Sequence, residues 1–142
     1  MPASDQQKLL ARLNGLMNRH YFSVTSYLKD CSPWVPEKHR SAMTKMLEDV
    51  AHEERELAEL LASWINSMGG VVLLGNYSPE IAELSYLSLT YSLGHAIKEK
   101  EEIIKSVENL LTEVDLDEDL RSDVEKALSA DNAHMEWLKE AK

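Results

Sequence analysis

The sequence predicts an all-α protein: a four-helix bundle of two antiparallel helical hairpins, with a long crossover between the second and third helices. Three observations point there. Apolar residues recur at helical spacing in four separate runs. Gly and Pro number only 5 and 4 in 142 residues, and most of them fall between those runs. The links between the first and second runs and between the third and fourth are short, which makes antiparallel neighbours, whereas the link between the second and third is long.

Ser4-Asp5-Gln6-Gln7 reads as a capping box, a Ser three residues ahead of a Gln. Behind it Leu9, Leu13, Leu16, His20, Val24 and Tyr27 form one helical stripe that should run unbroken to about Asp30. Pro33 and Pro36 mark the turn, and either can open the second helix at its first position. That helix should extend to Met68, with Met43, Leu47, Val50, Glu54, Leu57, Leu61 and Ile65 inward, and Gly69-Gly70 as its C-cap. Val71-Val-Leu-Leu74 is short and apolar. It suits a strand-like piece pairing across a dimer axis, or a loop packed along the bundle. Ser78-Pro79 is an N-cap followed by proline at the first helical position, so the third helix should run from there to about Thr112. Its first turns are apolar nearly all round (Ile81, Leu84, Tyr86, Leu87), which suggests cover from a partner chain as well as the bundle. The acidic turn Asp115-Leu-Asp-Glu-Asp119 precedes the fourth helix and suits a helix N-terminus; it lacks the Gly and distal Glu of a calcium loop.

The chain is long enough for one domain with a sizeable core, here residues 1–142. A net charge of -10 argues against nucleic acid and against anionic membrane surfaces, both of which call for a basic face. The single cysteine, Cys31, rules out an internal disulfide and fits a reducing compartment. Without a basic, apolar leader or a membrane-length apolar run, a soluble cytoplasmic protein is expected.

Polar residues interrupt the apolar stripes at matching places. His20 lies at the centre of the first stripe, Glu54 of the second and Asp131 of the fourth, with His134 one turn after Asp131. A carboxylate and an imidazole three residues apart share a helix face and can reach one ion. The third stripe carries Leu93 at the expected position, with Lys100 two turns on. Buried carboxylates must be paired, protonated or metal-bound. Two readings therefore stand side by side: a first shell for Fe, Mn or Zn built from His20, Glu54, Asp131 and His134, or a metal-free core in which protonated histidines and Lys100 neutralise the carboxylates. His52 and His39 should be solvated, and His95 is a reserve ligand. Trp34, Trp64 and Trp137 suit packing or dimer contacts.

Three stretches resemble the ferritin-like superfamily. His52-Glu-Glu-Arg-Glu-Leu-Ala-Glu59, ahead of Gly69-Gly70, is similar to the ferritin second helix, which reads H-E-E-R-E-H-A-E and ends in G-G. Leu13-Asn-Gly-Leu-Met-Asn-Arg-His-Tyr-Phe22 resembles the first helix, where a Glu stands at the place of His20 and a Tyr at that of Tyr27. Asp131-Asn-Ala-His-Met-Glu-Trp-Leu138 resembles bacterioferritin's E-x-x-H followed by W-L. The resemblance implies a ferritin-like bundle with a di-iron centre that oxidises ferrous iron with oxygen or peroxide. It carries over Glu54 as the bridging carboxylate, with Asp131 and His134. This sequence departs from it at His20 (for Glu), Leu57 (for His) and Leu93 (for Glu). A single ion on His20, Glu54, Asp131 and His134 suits what remains better than two ions. Arg55 stands where bacterioferritin places its haem-ligating Met, so no haem is expected. The helix that lines ferritin cage channels is lacking, so a homodimer rather than a 24-subunit cage is expected.

The expected function is metal binding in iron or metal homeostasis or oxidative stress, with ferroxidase or peroxide chemistry reduced or absent. Tyr27, as a source of an electron or hydrogen bond, and Lys100 are the catalytic candidates. The alternative is a metal-free helical adaptor with Lys100 standing where a cation once did.

Overall fold

The computed structural model describes residues 3–31, 37–77, 81 and 89–141. The helices are α1 (Ala3–Tyr21), α2 (Val24–Cys31), α3 (Glu37–Ser67), α4 (Leu89–Glu113) and α5 (Glu118–Ala141). No strand occurs among the described residues. Pro33, Trp34, Pro36 and the Ser78-Pro79 start expected for the third helix lie outside them, as do Leu84, Tyr86 and Leu87. No described helix is long and apolar enough to cross a membrane.

The stripes read from the sequence are the buried ones. Leu47, Val50, Glu54, Leu57, Leu61 and Ile65 of α3 all point inward, as do Leu120, Val124, Ala127, Asp131, His134 and Leu138 of α5. The apolar core is split in two. One cluster centres on Leu13, Met17, Leu61, Ile65, Ile103 and Leu110. The other holds Val24, Leu28, Leu47, Leu93, Ala96 and Leu138. On each helix the residue between the two clusters is polar: His20, Glu54, Lys100 and Asp131.

The first predicted helix is not continuous. α1 stops at Tyr21 and α2 begins at Val24. The local cause is Ser23, whose Oγ accepts the Ser26 N–H at 3.0 Å and so N-caps α2. The Val24 N–H, another free donor at that helix start, is taken by a Glu99 carboxylate oxygen at 3.0 Å. Helical hydrogen bonds continue on both sides, Phe22 N–H to Asn18 O at 2.8 Å and Tyr27 N–H to Ser23 O at 3.1 Å. The periodicity hid the break because the same face stays inward across it.

α3 ends as expected. Gly69 takes a left-handed φ of 79°, Gly70 N–H reaches back to Ile65 O at 2.9 Å and Gly69 N–H to Asn66 O at 3.1 Å, a Schellman cap. The crossover then runs along α1, held by two asparagines one turn apart. Asn14 donates to Val71 O at 3.1 Å and accepts from Leu73 N–H at 2.9 Å. Asn18 donates to Leu73 O at 2.6 Å and accepts from Gly75 N–H at 2.7 Å. Two side-chain amides thus act as a surrogate strand edge for residues 71–75 and leave Val71, Leu73 and Leu74 largely exposed. At the far side of the bundle, Trp64 Nε1–H donates to Asp123 at 2.8 Å, so this tryptophan ties α3 to α5.

The asparagine ladder carries a direct prediction. Replacing Asn14 and Asn18 together by Ala removes four hydrogen bonds of about 1 kcal/mol each. The amides of Leu73 and Gly75 should then lose their hydrogen-exchange protection while the α3–α5 core amides keep theirs. Retained protection at Leu73 and Gly75 would refute the ladder.

Candidate functional site

The polar layer is built around the Lys100 ammonium. Lys100 Nζ lies 2.7 Å from Glu54 Oε2 and 3.1 Å from Asp131 Oδ1. His20 Nε2 is 2.8 Å from Asp131 Oδ2 and 3.1 Å from Oδ1. The second oxygen of Glu54 accepts the Ser23 hydroxyl at 2.9 Å. His20, Glu54, Lys100 and Asp131 are all buried.

Hydrogen bonding fixes the charge state of His20. Its Nδ1 lies 2.7 Å from Leu16 O, which can only accept, so Nδ1 is the donor. Nε2 faces a carboxylate and donates as well. A ring that donates from both nitrogens is an imidazolium. Burial works against that charge, but the hydrogen bond and charge of Asp131 outweigh it, and the His20 pKa is raised. For Lys100 burial is likewise the largest influence and pulls downward; the charges of Glu54 and Asp131 reverse it, so the ammonium is favoured. Burial pushes the Asp131 carboxyl up, and His20 and Lys100 together bring it below its ordinary range. Two cations thus meet two carboxylates and the layer is neutral by itself.

Two further groups border this layer. Glu99, next to Lys100, has its carboxyl pushed up to about 7, chiefly by burial and further by the charge of Glu54. His134 is held down to about 4, by burial first and by the nearby Lys100 charge second, so its ring is neutral. Neither ring nitrogen of His134 has a hydrogen-bond partner. Nδ1 stands 4.0 Å from Asp131 Oδ1 and Nε2 3.5 Å from Glu53 Oε1.

The family model for the ferritin-like domain matches residues 10–141. The chain belongs to the ferritin-like domain family. Its fold is similar over 99% of both chains, at 20% identity and a TM-score of 0.62, to a solved structure described as ferritin like, diiron-carboxylate proteins from Bacillus anthracis str. Ames. No curated protein matches.

Within this ferritin-like bundle the third-helix member of the layer is Lys100. Leu93, expected from the sequence at that place, packs two turns away in the second apolar cluster. Lys100, in the same α4 stripe, faces the layer instead. Tyr27 is half-buried with its ring edge toward Tyr77, 5.3 Å between centroids. His95 is exposed beside Tyr91, and His52 is exposed and paired with Glu56. His20 contacts Asp131 directly, Glu54 meets Asp131 through Lys100, and His134 Nδ1 stands 4.0 Å from Asp131 without a hydrogen bond. Ser23 and Glu99 were missed. Ser23 sits inside an uninterrupted periodic run, and Glu99 lies off the stripe that marked Lys100.

The donors present do not fit a di-iron centre. All four oxygens of Glu54 and Asp131 already receive a hydrogen bond from Lys100, His20 or Ser23. His20 turns N–H groups, not a lone pair, toward both of its partners. Leu57, where the family pattern has a His, is buried and apolar. Among the described residues no group of three or more His, Cys, Asp or Glu has metal-holding geometry.

Glu99 supplies a pH signature. Its folded pKa of about 7 lies above its ordinary 4.5, so the folded state binds this proton more tightly than the unfolded chain. The resulting stabilisation is full below about pH 4.5 and is lost as pH rises through 7. Glu99→Gln keeps an acceptor for the Val24 N–H without the charge. It should remove a decline on the order of 2 kcal/mol between pH 5 and 8, read by urea unfolding. An unchanged pH profile in the variant would refute the assignment.

Proposed function

We propose that this ferritin-like protein is a charge-paired helical scaffold that has given up ferroxidase chemistry in its core and works through its surface as a homodimer. The observation that carries the reading is the Lys100 ammonium on both core carboxylates at 2.7 and 3.1 Å. A fixed internal cation does the electrostatic work that an exchangeable one does in a metal centre. It cannot change oxidation state or open a coordination position, so the layer orients helices and moves no electrons. Cys31 as the single cysteine and the acidic surface favour a soluble cytoplasmic setting.

Removing the ammonium tests this. Lys100→Met leaves the two carboxylates facing His20 alone and should cost about 3–5 kcal/mol, the usual penalty for breaking a buried pair. Wild-type protein mixed aerobically with Fe(II) should oxidise it no faster than buffer. Faster oxidation, abolished by Asp131→Asn, would overturn the reading.

A competing reading places one metal ion, iron first among the candidates, on His20, Glu54, Asp131 and His134. The di-iron description of the similar structure and the unpartnered nitrogens of His134 favour it. It requires Lys100 to leave and His20 to lose a proton. Lys100→Met should then raise metal affinity, whereas in the charge-paired scaffold it lowers stability and gains no metal.

The homodimer reading rests on the crossover strap. Asn14 and Asn18 occupy one edge of residues 71–75. Alternate residues of an extended chain turn their peptide groups to opposite edges, so those of Val72 and Leu74 face outward. Val71, Leu73 and Leu74 are 70%, 63% and 62% exposed. A second strap running antiparallel would satisfy that edge and cover the apolar side chains. Sedimentation should give the mass of two chains, and Leu73→Lys with Leu74→Lys should give one. A wild-type monomer would overturn this part.

A further inference from the structure

His134 presents a problem that the charge-paired layer does not solve. Its side chain is 0% exposed, yet neither ring nitrogen is hydrogen-bonded. Buried polar atoms are almost always partnered, and an exception calls for a cause. Nδ1 faces Asp131, whose oxygens are already engaged by Lys100 and His20. Nε2 points the other way, toward Glu53 Oε1 on α3 at 3.5 Å.

That separation is informative. An N–H···O hydrogen bond spans about 2.7–3.2 Å, so the pair is too far apart for a good one. Two donors that share a zinc ion, each about 2.0–2.1 Å from it at a tetrahedral angle, stand about 3.3–3.5 Å apart. The surroundings fit a cation as well. Glu53 is 42% exposed, so the acidic side of the pair reaches solvent while the His134 nitrogen stays buried. Its carboxyl is raised by partial burial and then by the charges of Glu56 and Asp49, a locally negative field in which a divalent ion would be stabilised. The Trp137 ring lies 5.5 Å from the His134 ring.

We propose that Nε2 of His134 and the carboxylate of Glu53 form a binding site for a divalent transition-metal ion of the zinc type, between α3 and α5 and outside the charge-paired layer, with water completing the shell. The chemistry is that of an imidazole nitrogen and a carboxylate oxygen, a pair suited to borderline ions. The site uses the ring nitrogen turned away from Asp131 and leaves Lys100 in place. It does not rest on the scaffold reading of the core, because neither Lys100 nor Asp131 supplies a donor. Two protein donors make it an exchangeable site rather than a structural one.

The experiment titrates Zn(II) into chelator-stripped full-length protein by calorimetry. A His52→Ala background removes the exposed His52–Glu56 pair as a competing surface site. About one Zn(II) per chain should bind. Glu53→Gln, a change at a half-exposed position that leaves the fold intact, should weaken binding at least tenfold. Histidine-ring nitrogen NMR should show the His134 Nε2 resonance shift on zinc addition in the parent and not in Glu53→Gln. Absence of zinc binding, equal binding in Glu53→Gln, or binding lost in Asp131→Asn but kept in Glu53→Gln would each overturn the proposal. The last of these would assign the ion to the core residues.

Discussion

Everything at the centre of this bundle depends on one buried ammonium. Glu54 and Asp131 come from antiparallel helices and would repel each other across a dry core. With Lys100 Nζ at 2.7 and 3.1 Å from them, the repulsion becomes a link joining α3, α4 and α5. His20 then adds α1 through the remaining oxygen of Asp131, and Ser23 adds the α1–α2 break through the remaining oxygen of Glu54. Each carboxylate oxygen therefore names one neighbour. A network satisfied in this way contributes little net stability over an apolar core, but it penalises every other helix register heavily. Sliding α4 by one turn would carry Lys100 into one of the apolar clusters and leave two charges unpaired.

The same layer explains the unusual local features around it. Ser23 caps α2 and serves Glu54 at once, which is why a helix break sits on an otherwise uninterrupted stripe. Glu99 stands next to Lys100 and accepts the first free N–H of α2. Its proton affinity is raised because it is buried near Glu54. The break, the cap and the displaced carboxyl are consequences of a charged layer that needs more partners than four straight helices supply.

Most of the fold was legible because helical periodicity is strong in all four runs and the turn residues are distinct. The buried stripes, the Gly69-Gly70 cap and the crossover position follow from pattern alone. The polar residues in the stripes, His20, Glu54, Asp131 and His134, were legible as a group. Two things were not. The height at which the third helix meets the layer is one: Leu93 and Lys100 share its stripe, and periodicity says which face a residue takes and not where along its length two helices meet. The break at Phe22-Ser23 was hidden because its cause is tertiary. Ser23 leaves the helix with a cap that Glu54, 31 residues away, helps to position.

His134 separates what the layer accomplishes from what it leaves undone. If the polar core served only internal charge balance, every buried polar atom in it would be expected to find a partner, and for Glu54, Lys100, Asp131 and His20 this holds. His134 breaks the rule on both nitrogens while lying within 4.0 Å of two carboxylates. A protonated ring would resolve the mismatch by pairing with both, yet burial and the Lys100 charge keep it neutral. Burial and the ammonium that closes the core thus keep His134 neutral, with Nε2 3.5 Å from the partly exposed Glu53 carboxylate. The residue that marks the ferritin-like pattern most clearly in the fourth helix is, in this chain, fully buried and unpaired between the Asp131 and Glu53 carboxylates.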